Sequence, residues 1–198
     1  PSYLAYSPDG VSPTGGMGSY NVDASFTNIT LDNDVEYIQD GTTFSLDLST
    51  DSLSDEMAAL NIVGVRMIMT YGEDETSNGI GCAIPGASDT EGDTITGMVM
   101  HDSYNATAGG VNQGSTSHDV TSTWYDESMI GTVSNLTEAD IISGLDANGM
   151  GLGSYSIELS VDVATGGGAG CMHTDEGEEV EYTIELIALD YTITAVTA

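Results

Sequence analysis

In the stretch SYSIELSVDV, residues 154–163, Tyr155, Ile157, Leu159, Val161 and Val163 occupy one parity, and Ser156, Glu158, Ser160 and Asp162 occupy the other. Side chains on a β-strand point alternately to its two faces. A period of two therefore sorts apolar from polar residues when the segment is a strand with one face on a core and the other in water. The same sorting puts Phe44, Leu46 and Leu48 on one face of TTFSLDLS, residues 42–49. Further strands are predicted near residues 21–31, 35–38, 94–100 and 120–125.

Two segments depart from simple alternation. Between residues 61 and 71, Val63, Val65, Met67, Met69 and Tyr71 fill one parity, while Ile62, Gly64, Arg66 and Ile68 leave the other mostly apolar. That pattern predicts a central strand covered on both sides. Near the C-terminus, Val180, Tyr182, Ile184 and Leu186 hold one phase, and Ile187, Leu189, Tyr191 and Ile193 hold the opposite one. The flip predicts a bulge, a turn or a strand that changes sheets. Helix signals are confined to NLTEADIISGLDANG, with Thr137 as N-cap, Glu138 and Asp140 in the first turn, and a stop at Gly144 or Gly149. Eight to ten strands joined by Gly, Asn and Asp turns, with at most one short helix, predict an all-β fold. The expected architecture is a single β-sandwich, immunoglobulin-like or jelly-roll. It spans residues 19–198, preceded by an N-terminal tail and flexible joint over residues 1–18, which hold three of the four prolines.

Charge narrows the class of partner. The 198 residues contain 32 Asp and Glu against a single Lys or Arg, a formal net charge of −31. Such a surface repels phosphate backbones and anionic headgroups, which excludes nucleic acid and direct binding to anionic membrane. Its self-repulsion calls for a saline or divalent-rich setting, because the Debye length falls from about 10 Å at 0.1 M salt to about 3 Å at 1 M. Cys82 and Cys171 both lie in Gly-rich segments and are expected to form a disulfide, which places the chain in an extracellular or cell-surface location. No apolar run approaches the 18 residues of a membrane helix, and the start at Pro1 without Met suggests a processed or trimmed product. Asn28, Asn105 and Asn135 each begin an N-x-Thr sequon and are candidate glycosylation sites.

Catalytic signatures are scarce. There is no G-x-S-x-G elbow, and a Walker loop needs a Lys that the chain lacks. His101, His118 and His173 are too widely spaced for a zinc motif and read as loop residues in solvent. Arg66 sits in the most apolar strand and must pair with a carboxylate, since an unpaired buried charge costs several kcal/mol. Clustered acids beside turn signals suit a hard cation, calcium above all. The preferred ligands are Asp89, Glu91, Asp93, Asp175 and Glu176, which flank the two cysteines.

The Thr, Ser, Asp and Gly-rich alternation, the Lys-free acidic skin and the two loop cysteines resemble secreted β-sandwich domains on the surfaces of marine or halophilic archaea, including subunits of their extracellular filaments. The resemblance implies a non-enzymatic structural protein that self-associates into a homopolymer. Tyr3, Leu4 and Tyr6, apolar residues ahead of the Pro/Gly joint, are the expected assembly element, adding as a strand to a neighbouring subunit. The alternative is an extracellular module that binds glycans or calcium, with Trp124 and Tyr125 as a stacking platform.

Overall fold

The period-two pattern of residues 154–163 becomes a strand in which Tyr155, Ile157, Leu159 and Val161 are buried and the residues between them are partly exposed. The structure is a computed structural model that describes residues 16–72, 76–83, 92–112, 116–166 and 170–196. Tyr3, Leu4, Tyr6, Asp89 and Glu91 lie outside the described residues. In chain order the elements are β1 (Gly18–Gln39), β2 (Thr43–Ser49), the single helical turn α1 (Asp55–Ala58), β3 (Ile62–Tyr71), β4 (Thr76–Asn78), β5 (Asp93–His101), β6 (Tyr104–Asn112), β7 (His118–Thr123), β8 (Gly131–Leu136), α2 (Glu138–Leu145), β9 (Ser154–Asp162), β10 (Met172–Thr174) and β11 (Gly177–Ala195). A five-stranded sheet in the order β7-β3-β11-β1-β8 faces a four-stranded sheet in the order β2-β9-β5-β6, and β10 and β4 form a small ribbon. All pairings are antiparallel. The fold is an all-β sandwich.

The predicted strands near residues 21–31 and 35–38 are one strand. β1 pairs with β11 from Tyr20 opposite Ala195 to Gln39 opposite Gly177, and the register slips once, between Thr30 and Asp32. The slip lets Ile29 and Ile38, residues of opposite parity, both enter the core between the sheets. The phase flip in β11 has a different origin, a change in which face of the strand is covered. Its register with β3 shifts between Ile187 and Ala188. Val180, Tyr182, Ile184 and Leu186 fill the inter-sheet core, whereas Leu189 joins a second core with Tyr20, Val22, Val63, Ile141 and Leu145 on the outer face of the sheet. β11 itself neither bulges, turns nor changes sheets: the extra residue at that shift is Val63 on β3, and Ala188 follows Leu186 into the inter-sheet core while the odd-numbered residues face the second core.

α2 roofs that second core. The Thr137 hydroxyl accepts from the Asp140 N–H at 3.1 Å, and the Asp140 carboxylate accepts from the Thr137 N–H at 2.9 Å, a reciprocal cap. The helix ends at Leu145 with Asp146 as its C-cap, so neither Gly144 nor Gly149 stops it. Between the sheets, Gly97 makes room for methionine. A Cβ at Gly97 would lie 2.3 Å from Met67 Cε and 2.5 Å from Met69 Sδ, so the side chains of β3 reach the backbone of β5 only because glycine is there.

Three expectations need correction. The two-sided cover expected for β3 holds at Val63, but Arg66 is 36% exposed, because α2 covers only part of the outer face. His101 is 2% exposed and lies in the core, stacked on Tyr155 at 4.1 Å between ring centroids. Trp124 is no open platform: its indole N–H donates to the Ile62 carbonyl at 2.8 Å, and its ring packs against His101 and Tyr104.

Candidate functional site

Two places gather polar chemistry. The first begins with strand parity. Asp93 shares its phase with Ile95, Val99 and His101 on β5, and Glu178 shares its phase with Val180, Tyr182 and Ile184 on β11. Each carboxylate is therefore delivered inward at the start of its strand, and both are fully buried. Asp175, from the turn between β10 and β11, completes the group, with one ligand oxygen from each residue within 4.8 Å of the others. Glycine at 177 keeps that turn tight: its N–H donates to Asp175 Oδ1 at 3.0 Å, at a φ of 143°.

The surroundings are mixed in sign. The Asp93 carboxylate Oδ1 accepts from the Ala164 N–H at 2.8 Å, and the Tyr71 hydroxyl donates to the Asp93 main-chain carbonyl. Burial pushes the Asp93 carboxyl above its ordinary range, and the charges of Asp175 and Asp40 add to this; the Ala164 N–H and a hydrogen bond shared with Glu178 act the other way. Two carboxyl groups that share a hydrogen bond must hold a proton or a cation between them. Oxygens on opposite sides of a calcium ion at about 2.4 Å would be about 4.8 Å apart, so Asp93, Asp175 and Glu178 together could hold one. Of the ligands expected from sequence, Asp93 and Asp175 meet here. Glu176 is exposed and outside the trio, Asp89 and Glu91 lie outside the described residues, and Glu178 is the residue that sequence reasoning missed.

The disulfide lies close to the Asp175 turn in sequence. Cys82 and Cys171 are bonded, as expected. The bond fastens the β4–β10 ribbon, which is itself held by three residue pairs and by the Gly81 N–H on the Gly170 carbonyl at 3.0 Å.

The second place is a shallow groove of about 310 Å³ on the outer face of the five-stranded sheet, beside the part that α2 covers. It is lined by Phe26 and Asn28 from β1, Ile187 from β11, Arg66 from β3, Asp119, Thr121 and Thr123 from β7, and Tyr125 just beyond. Gly64 opens its middle: a Cβ there would meet Thr123 Cγ2 at 2.9 Å and Ile187 Cδ1 at 3.3 Å, so any larger residue would crowd the depression. Arg66 finds its carboxylate in Asp119, with Nε 3.3 Å from Oδ2. The pair is half-exposed rather than buried, one strand apart across the β3–β7 step. Phe26 and Tyr125 form an aromatic wall, with ring centroids 5.7 Å apart and planes tilted by 46°. Burial and then the nearby Glu127 charge raise the Tyr125 phenol above its ordinary range, so it is a neutral donor at any physiological pH.

The sequons differ in setting. All three are exposed, with Asn105 on β6 and Asn135 on β8. Asn28 lines the groove, and its amide donates to Glu185 at 2.9 Å. Among the described residues no helix is long and apolar enough to cross a membrane.

No family model and no curated protein matches the chain. Among solved structures it is similar to that of TmCBM61 in complex with β-1,4-galactotriose, with 92% of each chain covered, 10% sequence identity and a TM-score of 0.26. A likeness that loose transfers neither a ligand nor a site.

Proposed function

We propose that this chain is a non-catalytic extracellular structural module, a subunit of a cell-surface filament or surface assembly in a saline setting, like the archaeal surface proteins it resembles. The observation that carries this is the pairing of β1 with β11 from Tyr20 opposite Ala195 onward. The described chain thus enters and leaves the sandwich at one end, and the acidic body lies to one side of that end. The disulfide suits an oxidising exterior. No described strand pairs with the outer edge of β8, and such an edge is where Tyr3, Leu4 and Tyr6 of a neighbouring subunit would add as a strand. Electron microscopy of the native preparation at high salt tests this: ordered polymers are expected, and deletion of residues 1–12 should leave a folded monomer. A full-length chain that stays monomeric at high concentration refutes the assembly role, and a truncated chain that still polymerises refutes the tail's part in it.

A second role is favoured by the trio of buried Asp93 and Glu178 with half-buried Asp175: a structural calcium ion that locks the β10–β11 turn to β5.

A further inference from the structure

We infer that the Arg66 groove is a binding site for a neutral carbohydrate, one or two hexopyranose rings of an uncharged glycan. The site stands whether or not the chain polymerises.

A pyranose ring has one face of C–H groups and an equator of hydroxyls, so its receptor needs an apolar wall and planar polar groups set at an angle to it. The groove has both. Phe26 is 48% exposed although apolar, and with Tyr125 it makes the wall. At the other end, Arg66 and Asp119 place a fork of donors beside a pair of acceptors, the combination that engages two adjacent hydroxyls, each of which can donate and accept. Arg66 makes no hydrogen bond to another described side chain. Its Nε is buried 3.3 Å from Asp119, which holds the guanidinium in place and leaves the outer guanidinium nitrogens to serve as the donors. Thr121, opposite Arg66, and Thr123, opposite Gly64, also line the groove. A volume of about 310 Å³ is at the low end for small-molecule sites, which fits an open subsite for about one or two rings rather than an enclosed drug-like pocket.

Charge decides between neutral and anionic ligands. Arg66 is the only Lys or Arg in the chain. It is already matched by Asp119, and Glu185 stands beside Asn28 in the groove. A uronate, sulfate or phosphate would meet a site with no spare positive charge inside a field of −31. A neutral sugar loses nothing to that field.

The single arginine supplies an unambiguous reporter, because the full chain gives one arginine Nε–H cross-peak in a nitrogen–proton spectrum. The protein is titrated in high-salt buffer with neutral trisaccharides of glucose, galactose and mannose, and in parallel with trigalacturonate. At least one neutral trisaccharide should move the peak with saturation, and trigalacturonate should not. Phe26→Ala, at an exposed position, and Asp119→Asn should each weaken that binding about tenfold or more while leaving the melting temperature close to that of the parent. The inference is overturned if no neutral trisaccharide moves the peak at up to roughly ten times a millimolar Kd. It is equally overturned if trigalacturonate binds more tightly than the neutral sugars, or if Phe26→Ala binds as the parent does.

Discussion

Replacing Asp93 by asparagine separates the two contributions of the Asp93, Asp175 and Glu178 trio. Asp93→Asn keeps an oxygen to accept the Ala164 N–H, which lies at 2.8 Å, and removes one charge from a group whose oxygens lie within 4.8 Å of one another. Two unit charges at that separation repel by about 3.5 kcal/mol at an effective dielectric constant of about 20. Because burial raises the Asp93 carboxyl, the folded state keeps a proton that the unfolded state has already released. Without a cation, stability is therefore greatest below the ordinary aspartate range and falls as pH rises from that range through the raised value. In chelator at about pH 8, the variant should be more stable than the parent by up to about 3 kcal/mol, which for a domain of this size is roughly 6–12 °C in melting temperature. Calcium at about ten times its Kd should add roughly 1.4 kcal/mol to the parent, flatten its pH dependence, and add nothing to the variant. The assay is thermal melting at fixed ionic strength in chelator, calcium or magnesium, at about pH 5 and about pH 8. A variant that melts below the parent in chelator would show that the carboxylate anchors rather than repels. A calcium response equal to that of magnesium, or retained in Asp93→Asn, would leave only screening and remove the ion.

Two further outcomes follow from the same geometry. Replacing Cys82 and Cys171 by serine opens a loop closed across 89 residues and should lower the unfolding free energy in urea by roughly 4.5 kcal/mol if the β4–β10 ribbon stays docked; a loss near zero would mean that the ribbon moves as freely in the folded state as in the unfolded one. Expressed in a host that glycosylates N-x-Thr sequons, the protein should carry glycans at Asn105 and Asn135 and none at Asn28, whose amide is held by Glu185, and peptide mass spectrometry would contradict this by finding Asn28 modified.

Parity made the strands legible, and parity also held more of the site than a search for contiguous acids could extract. Glu176 attracts attention as a member of DEGEE, but Glu178 has the same parity as Val180 and Tyr182, and a carboxylate in the inward phase of a strand is the stronger signal. Asp93 carries it too. The groove was out of reach for a different reason. Phe26 and Arg66 meet because β11, the last of the described strands, lies between β1 and β3, and strand order is not written in local alternation. The partner of Arg66 depended on register: Arg66 stands opposite Thr121, and Asp119 comes within reach one step along the strand. The merging of two short strands into β1 turned on a one-residue slip at Thr30, where LDND reads equally well as a turn.

The pairing of β1 with β11 bears on how the chain is made. During synthesis β1 emerges before every other described strand and its longest partner, β11, emerges after them, since Tyr20 waits for Ala195. Over that interval a strand of 22 residues has most of its backbone hydrogen-bonding groups unmatched, a template on which nascent chains aggregate. Asp23, Asp32, Asp34 and Glu36 punctuate it, and like charges on neighbouring chains repel. Closing so distant a contact also slows folding relative to a sandwich built from hairpins. The acids along β1 thus oppose its pairing with the same strand of a neighbouring nascent chain before β11 is made.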